Sequence, residues 1–246
     1  MEEMVTVEHG RAAALDRLAD HVAAAQQEVV LLASAAVVEH LADELAAARD
    51  RGVLVAVLFG DSDQLSAVEL EQSTSVARRW DIAESGLSIA AFDGEMAMVA
   101  GPGALTADRG LRTVFLADQY FEDLAFSTYF GNFWPVAEEL YTADPEPLPR
   151  TFGSVRHAAC TAALHLRAGR ALTATVEAHD TTTGEQRTLS GQVINARQSI
   201  VTPITASFPL ENTLILSSPV GRVSVGGEGA FVEDYGATEV KLTRRE

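Results

Sequence analysis

The sequence predicts an α/β protein in which a larger α/β domain is followed by a smaller, mainly antiparallel β domain with one leading helix. Three observations lead to this prediction. Helical and strand patterns alternate through the first half, as in layered α/β folds. Three prolines fall within residues 144–149, and short strands separated by Gly, Pro and Asn follow them.

In the first half, helical periodicity alternates with continuous apolar runs. Leu15, Leu18 and Val22 recur at the spacing of one helix face, whereas Val29–Leu32 is an unbroken apolar run typical of a buried strand. Asp93-Gly94 between two apolar runs predicts a hairpin turn. The predicted elements are a helix at 15–22, a strand at 29–32, a helix at 37–49, a strand at 53–59, a helix at 76–84, strands at 87–92, 96–100 and 113–116, and a kinked aromatic-rich helix at 121–141.

The second half opens with a helical pattern at 155–166 and then changes character. Segments 173–178 and 187–194 flank a turn and predict a hairpin. Together with the strands that follow, they predict a compact antiparallel sheet or barrel. The later strands are predicted at residues 213–216, 222–225, 230–232 and 239–242.

The proline-rich stretch sets the expected domain boundaries, because prolines so closely spaced cannot form a helix. The sequence predicts an α/β domain at residues 1–143, a linker at 144–150 and a β-rich domain at 151–246.

The charge of the chain limits its partners. With 35 acidic and 18 basic residues the net charge is −17, and Lys241 is the only lysine. Phosphate binding requires a basic surface, so we expect no direct contact with nucleic acid or anionic lipid.

No apolar run is long enough to cross a bilayer, and a cytoplasmic, soluble protein is expected. The scarcity of lysine is typical of haloarchaeal proteins, whose acidic surfaces are screened by molar salt.

No recognised catalytic pattern is present in the sequence. The motifs G-x-S-x-G, G-x-x-x-x-G-K-[ST] and H-E-x-x-H are absent, and no histidine pair has a ligand spacing. Cys160 lies in an apolar helical pattern that favours a buried structural thiol. We therefore predict no enzyme activity, no metal site and no cofactor.

Two regions have more than one interpretation. The glycines of 226–229 are explained by a tight turn, or by a ligand that approaches the backbone closely beside the carboxylate of Glu233 and the amide of Asn212. The aromatic residues of 120–141 are explained by packing between two domains, or by a carbohydrate site walled by Tyr129, Asn132 and Trp134.

Four segments carry a resemblance to a known family. Phe208–Leu214 (FPLENTL) and Gly221–Tyr235 (GRVSVGGEGAFVEDY) resemble the C-terminal end of TrmB-family archaeal transcriptional regulators of haloarchaeal type. Phe130–Pro135 (FGNFWP) and the pattern from Glu3 to Leu18 resemble that family's phospholipase-D-like domain. The resemblance spans essentially the whole chain.

This resemblance implies an effector-binding part in which a phospholipase-D-like domain (1–143) precedes a small β domain (151–246) that binds a sugar. Its ligand-binding positions, carried over by spacing, fall on Asn212, Gly227, Glu228, Phe231, Val232 and Glu233. A contribution from Ser127 or Asn132 in the α/β half is also implied.

Two departures from the family pattern shape the functional expectation. Residues 96–103 contain neither His nor Lys, although the catalytic motif of active phospholipase-D enzymes needs both, so the resemblance implies an inactive domain. The family's winged helix and coiled coil have no counterpart in this sequence.

We expect a sugar or small-metabolite sensor without its DNA-binding part, as a homodimer or bound to a full-length regulator. The alternative is an interaction module that associates with such regulators without binding a ligand.

Overall fold

A computed structural model describes residues 4–60, 67–81, 86–107, 110–203 and 211–245. The chain folds into two compact units, Met1–Ala143 and Asp144–Glu246. The first is an α/β unit, and the second is mainly antiparallel sheet with one leading helix, so the predicted fold class is confirmed. Residues 208–210, which carry part of the family resemblance, lie outside the described residues.

The first unit alternates strands and helices before its strands turn antiparallel. In chain order its elements are β1 (Val5–His9), α1 (Arg11–Ala24), β2 (Glu28–Ala33), α2 (Ala35–His40), α3 (Ala42–Asp50), β3 (Leu54–Phe59), α4 (Ala67–Ser73), β4 (Val76–Arg79), β5 (Ser88–Phe92), β6 (Met96–Ala100), β7 (Arg112–Ala117), α5 (Gln119–Thr128), a π-helical turn (Tyr129–Phe133), a 3-10 turn (Trp134–Val136) and β8 (Glu138–Thr142).

Within the described residues, eight strands form one sheet in the order β1-β7-β6-β5-β2-β3-β4-β8. The central strands β2, β3 and β4 run parallel, and both β2 and β3 are buried along their whole length. One face of these strands, including Leu31 and Val57, shares a core with Leu18 of α1 and Leu45 of α3. Helices on both faces explain the unbroken apolar runs that predicted these strands.

The hairpin predicted at Asp93-Gly94 is confirmed. Both residues have positive φ, 55° and 76°, as a tight two-residue turn requires. The Asp93 carboxylate also accepts hydrogen bonds of 2.8–2.9 Å from the backbone N–H groups of Gln26, Gln27 and Glu28. This contact fixes the start of β2 against the hairpin.

One helix prediction in this unit is wrong, and another is confirmed except for a break. The segment expected to be a helix at 76–84 begins with strand β4, because Val76 and Ala77 are fully buried and pair with β3 and with β8. Residues 82–84 of this prediction lie outside the described residues. The predicted helix at 37–49 is divided into α2 and α3 at Leu41, whose ψ of 7° departs from the helical value. In β4, partners distant in the sequence override local periodicity.

The predicted helix at 121–141 is also wrong in its second half. After α5 the backbone passes through the π-helical and 3-10 turns, and residues 138–142 form β8 beside β4. Tyr129 and Trp134 are fully buried, and their rings contact each other and Phe130. Since neither ring is accessible in the structure, these two residues do not wall a carbohydrate site there.

The second unit begins with the proline-rich stretch and ends in a sheet. Its elements are β9 (Arg150–Phe152), α6 (Val155–Arg167), β10 (Leu172–Asp180), β11 (Gln186–Arg197), β12 (Thr213–Ser218), β13 (Gly221–Gly226) and β14 (Tyr235–Arg244).

In the part of the chain that the structure describes, strands β10 to β14 close into a five-stranded barrel. β14 pairs with β10 along nearly its whole length. On its other edge β14 pairs with the end of β13 and then with β9. The hydrophobic core lies inside this barrel and against α6. The strand predicted at residues 230–232 is not formed, because this segment belongs to the loop that joins the parallel strands β13 and β14.

The proline-rich stretch is attached to the second unit by Glu146. Its carboxylate forms an ion pair with Arg150 and lies 3.5 Å from Nε2 of His157, and its backbone oxygen accepts a hydrogen bond of 2.8 Å from Nε2 of His165. Burial alone raises the pKa of Glu146, but the contacts with His157 and Arg150 outweigh burial and lower that pKa.

His165 is neutral in this arrangement. Arg170 Nη1 lies 3.3 Å from His165 Nδ1, and a guanidinium only donates, so Nδ1 accepts and the proton is on Nε2. Burial lowers the pKa of His165 and outweighs the hydrogen bond to Glu146.

Among the described residues, no helix is both long and apolar enough to cross a membrane.

We expect acid to destabilise the second unit through His165. Its pKa in the folded protein is lower than the value of about 6.5 in an unfolded chain. As the pH falls through that range, the unfolded chain binds a proton before the folded one does, and stability is lost. His165→Gln keeps an N–H donor without titrating, so its melting temperature should fall less than that of the wild type between about pH 7.5 and about pH 5.5. His9→Gln, at an exposed position, should follow the wild type; equal slopes in all three proteins would contradict this expectation.

Candidate ligand-binding site

One end of the barrel collects several positions named by the sequence. Strand β10 ends there and β14 begins there, since His179 lies opposite Gly236. The end of β13 is beside them, with Val225 opposite Tyr235. The start of β12 lies beside this end of β13, with Leu214 opposite Val225. Residues 227–234, here called the crossover loop, therefore run across this end of the barrel.

Glu233 is held in the crossover loop by two threonines. Its carboxylate oxygen Oε1 accepts a hydrogen bond of 2.7 Å from the hydroxyl of Thr213, and its backbone oxygen accepts one of 2.6 Å from the hydroxyl of Thr181. The second carboxylate oxygen, Oε2, accepts no hydrogen bond from the described residues. The side chain is therefore oriented and still has an acceptor to offer.

Asn212 directly precedes Thr213 at the start of β12. Its side-chain oxygen Oδ1 is buried and has no hydrogen-bond partner among the described residues. A buried acceptor without a hydrogen bond lowers the stability of the fold by about 1–3 kcal/mol. Because its neighbour Thr213 bonds Glu233, the structure brings Asn212 and Glu233 to the same end of the barrel.

The two glycines between β13 and the crossover loop differ in their surroundings. A Cβ atom on Gly226 would lie 2.8 Å from Cδ of Glu233 and 2.9 Å from Cβ of Ala230, which is too close. A Cβ atom on Gly227 would meet nothing within 4 Å. Gly226 is thus required by packing against Glu233, and the space beside Gly227 is open.

The tip of the crossover loop is apolar and accessible. Phe231 and Val232 are 89% and 80% exposed, and with Val220 they border a surface pocket of about 400 Å³. Glu228 is also exposed, but it does not line this pocket, and neither do Asn212 and Gly227. The polar part of the pocket lining consists of Asp180, Thr181, Thr182, Arg222, Glu233, Asp234 and Tyr235.

The two aspartates of the pocket have structural partners. Asp180 accepts hydrogen bonds of 2.9 Å from the backbone N–H groups of Thr183 and Thr182, which lower its pKa. Asp234 accepts bonds of 2.8 Å from the N–H and the hydroxyl of Ser224, so it fixes the crossover loop to β13.

Thr181 and Thr213 were not predicted as site residues. Thr181 lies 52 positions before Glu233 in a polar turn, and nothing in the local sequence distinguishes it from its neighbours. The bond from Thr213 depends on the register of β12, β13 and β14, which the sequence does not state.

Ser127 and Asn132 belong to the first unit. Both are exposed, Ser127 near the end of α5 and Asn132 in the π-helical turn. Between them in the chain, Tyr129 is buried and its hydroxyl donates to the backbone oxygen of Ala56 at 3.3 Å. The two candidates are thus exposed residues on either side of the buried Tyr129 in the chain.

The barrel end offers mainly hydrogen-bond acceptors. Carboxylates at 180, 233 and 234, with the amide oxygen of Asn212, suit a ligand that donates several O–H groups. The same carboxylates disfavour an anionic ligand. In the described parts of the chain, no group of three or more His, Cys, Asp and Glu side chains is placed to hold a metal ion.

Comparison with protein families gives two matches that together span the described chain. Residues 4–141 match the family described as "Transcriptional regulator TrmB, EBD N-terminal subdomain", where EBD denotes the effector-binding domain. Residues 147–245 match "TrmB/TrmBL1, EBD C-terminal subdomain". These matches confirm the family resemblance seen in the sequence. A search of curated protein sequences gives no match.

Solved structures show similarity over about half of the chain. TrmBL2, an archaeal chromatin protein, is 22% identical with a TM-score of 0.47, and the match covers 56% of this chain and 55% of that one. The phospholipase D family member Nuc from Salmonella typhimurium is 13% identical (TM-score 0.42; 56% of this chain, 99% of Nuc). NucT from Helicobacter pylori is 12% identical (TM-score 0.44; 55% of this chain, 98% of NucT).

The two glycines provide a test of the Glu233 geometry. In a strand, Gly→Ala alone stabilises by about 0.5–1 kcal/mol, but in Gly226→Ala the new methyl group meets Glu233 and Ala230. We expect Gly226→Ala to lower the free energy of unfolding by about 1–3 kcal/mol and Gly227→Ala to change it by less than about 0.5 kcal/mol, measured by urea denaturation. Equal stability of the two variants would show that Glu233 is not held against Gly226.

Proposed function

The chain belongs to the TrmB family of transcriptional regulators, whose effector-binding domain it matches in both subdomains, and on this basis we propose that it senses a small hydroxyl-rich metabolite, a sugar. Effector-binding domains of this family are regulatory. We assign the chain a sensing role and no catalytic activity.

The observation that carries this proposal is the buried, unpartnered Oδ1 of Asn212 at the same end of the barrel as the oriented carboxylate of Glu233. A ligand hydroxyl that donates to Oδ1 removes the cost of the buried acceptor, so binding gains free energy that an exposed amide would not give. A second hydroxyl donating to Oε2 of Glu233 forms a charge-assisted hydrogen bond. A sugar presents several hydroxyls that can donate to these two acceptors.

The other proposed contacts have separate roles. The open space beside Gly227 lets a sugar ring approach the backbone. Phe231 and Val232 are exposed apolar side chains that can cover the C–H face of a ring. Glu228 offers a further carboxylate, and Ser127 and Asn132 are the proposed contribution of the first unit. A sugar is neutral, so the acidic surroundings do not oppose its binding.

The charge of the chain supports sensing over direct DNA contact. Its 35 acidic and 18 basic residues give a net charge of −17, whereas DNA binding relies on neutralising phosphates with Lys and Arg. We therefore propose that the ligand acts by shifting a conformational equilibrium, which requires different affinities for two states.

The proposal is tested by isothermal titration calorimetry with glucose, maltose, sucrose and glycerol, in low and in molar KCl. We expect saturable binding of one compound, and binding at least about tenfold weaker in Glu233→Gln and in Asn212→Ala, because each loses a hydrogen bond worth about 1–3 kcal/mol. Glu239→Gln, which replaces an exposed carboxylate on strand β14 that does not line the pocket at the crossover loop, is the matched control and should bind as the wild type does.

Two results would overturn the proposal. If none of the compounds binds, sugar sensing by this chain is rejected, and association with a full-length regulator becomes the leading function. If a sugar binds equally well to both variants, the site does not lie at this end of the barrel.

A further inference from the structure

A second pocket lies where α6 meets the end of β11. Its volume is about 290 Å³. The smallest pockets that bind small molecules have volumes of about 300 Å³. Apolar side chains from both elements, Leu166 and Ala196 among them, form part of its wall. The polar part is formed by Arg167, Asn195, Arg197, Gln198 and Thr202.

Two arginines from different elements reach this pocket. Arg167 is the last residue of α6, and Arg197 is the last residue of β11. One N–H of Arg167 bonds the backbone oxygen of Val201 at 3.3 Å, and one of Arg197 bonds the carboxylate of Glu211 at 3.0 Å. Each guanidinium has five N–H groups, so most of its donors are not used by these bonds.

Gln198 adds a further donor. Its side-chain oxygen accepts a hydrogen bond of 2.7 Å from the backbone N–H of Val201. That bond fixes the orientation of the amide. It uses the amide oxygen and does not involve the two N–H groups of the amide. Gln198 is itself buried, so the amide is held in place.

The lining of this pocket is opposite in charge to the rest of the molecule. Among the described residues that line it there are two arginines and no carboxylate. The pocket at the crossover loop contains Asp180, Glu233 and Asp234 beside a single arginine. In a chain with a net charge of −17, a pocket lined by two arginines and no carboxylate favours an anion, and of the two only Arg197 is paired with a carboxylate of the described residues, that of Glu211.

We propose that this pocket binds a compact anionic metabolite, with a carboxylate or phosphate group on a short carbon chain. Guanidinium groups match these oxyanions with paired N–H donors. Leu166 and Val201 provide apolar contact for the carbon chain. This ligand differs in charge from the sugar proposed for the crossover loop, and its binding does not depend on that site.

Isothermal titration calorimetry at constant ionic strength tests the proposal, with inorganic phosphate and succinate as probes and glycerol as the neutral control. We expect saturable binding of one anion by the wild type. In Arg167→Gln and in Arg197→Gln the affinity should be at least about tenfold lower, because a charge-assisted hydrogen bond is lost. Arg187→Gln is the matched control, since Arg187 is exposed, pairs with Glu185 and lies outside the pocket.

The design separates binding from unfolding and identifies the anion. Arg167 is exposed, so its replacement should leave the melting temperature unchanged. If Arg197→Gln is destabilised, the affinity of Arg167→Gln alone tests the proposal. Binding of phosphate without succinate indicates a phosphorylated ligand, and the reverse indicates a carboxylate. The proposal is overturned if neither anion binds saturably, or if Arg167→Gln binds as tightly as the wild type.

Discussion

The pairing of β14 with β10 is the constraint on which the second unit depends. It runs from Leu172 opposite Arg244 to Asp180 opposite Tyr235 and closes the barrel. Because the start of β14 also runs parallel to the end of β13, the chain cannot turn back tightly and must cross the barrel end. The crossover loop is the result. It places Glu233 over Gly226 and within reach of Thr213, so the candidate site is a consequence of how the barrel closes.

The burial pattern of each strand explains which parts of the fold were predictable. Strands with alternating burial, such as β10, and strands buried on both faces, such as β2 and β3, leave a clear pattern in the sequence. The apolar pair Val76 and Ala77 is too short to define a period, and its strand conformation comes from pairing with β3 and β8. Residues 230–232 have an apolar composition that suits a strand, yet no strand among the described residues pairs with them at the barrel end.

The candidate site was predictable only in part, for a similar reason. Asn212 and Glu233 could be named from a family resemblance that attaches to short local segments. The threonines that orient Glu233 could not, because their hydrogen bonds span 20 and 52 positions and depend on strand register. The close approach of Gly236 to the ring of His179 is of the same kind, with a Cβ position 2.5 Å from Cε1. Such contacts are properties of the closed barrel and have no local signature.

Charge distribution relates the two pockets of the second unit to each other. Arg197 lies opposite Thr213 in the ladder between β11 and β12, and it pairs with Glu211, the residue before Asn212. The strand start that carries Asn212 is therefore held on one side by an arginine and on the other by the Thr213–Glu233 bond. The fold thus connects the acceptor-rich side chains and the donor-rich side chains of this unit through one short segment, residues 211–213.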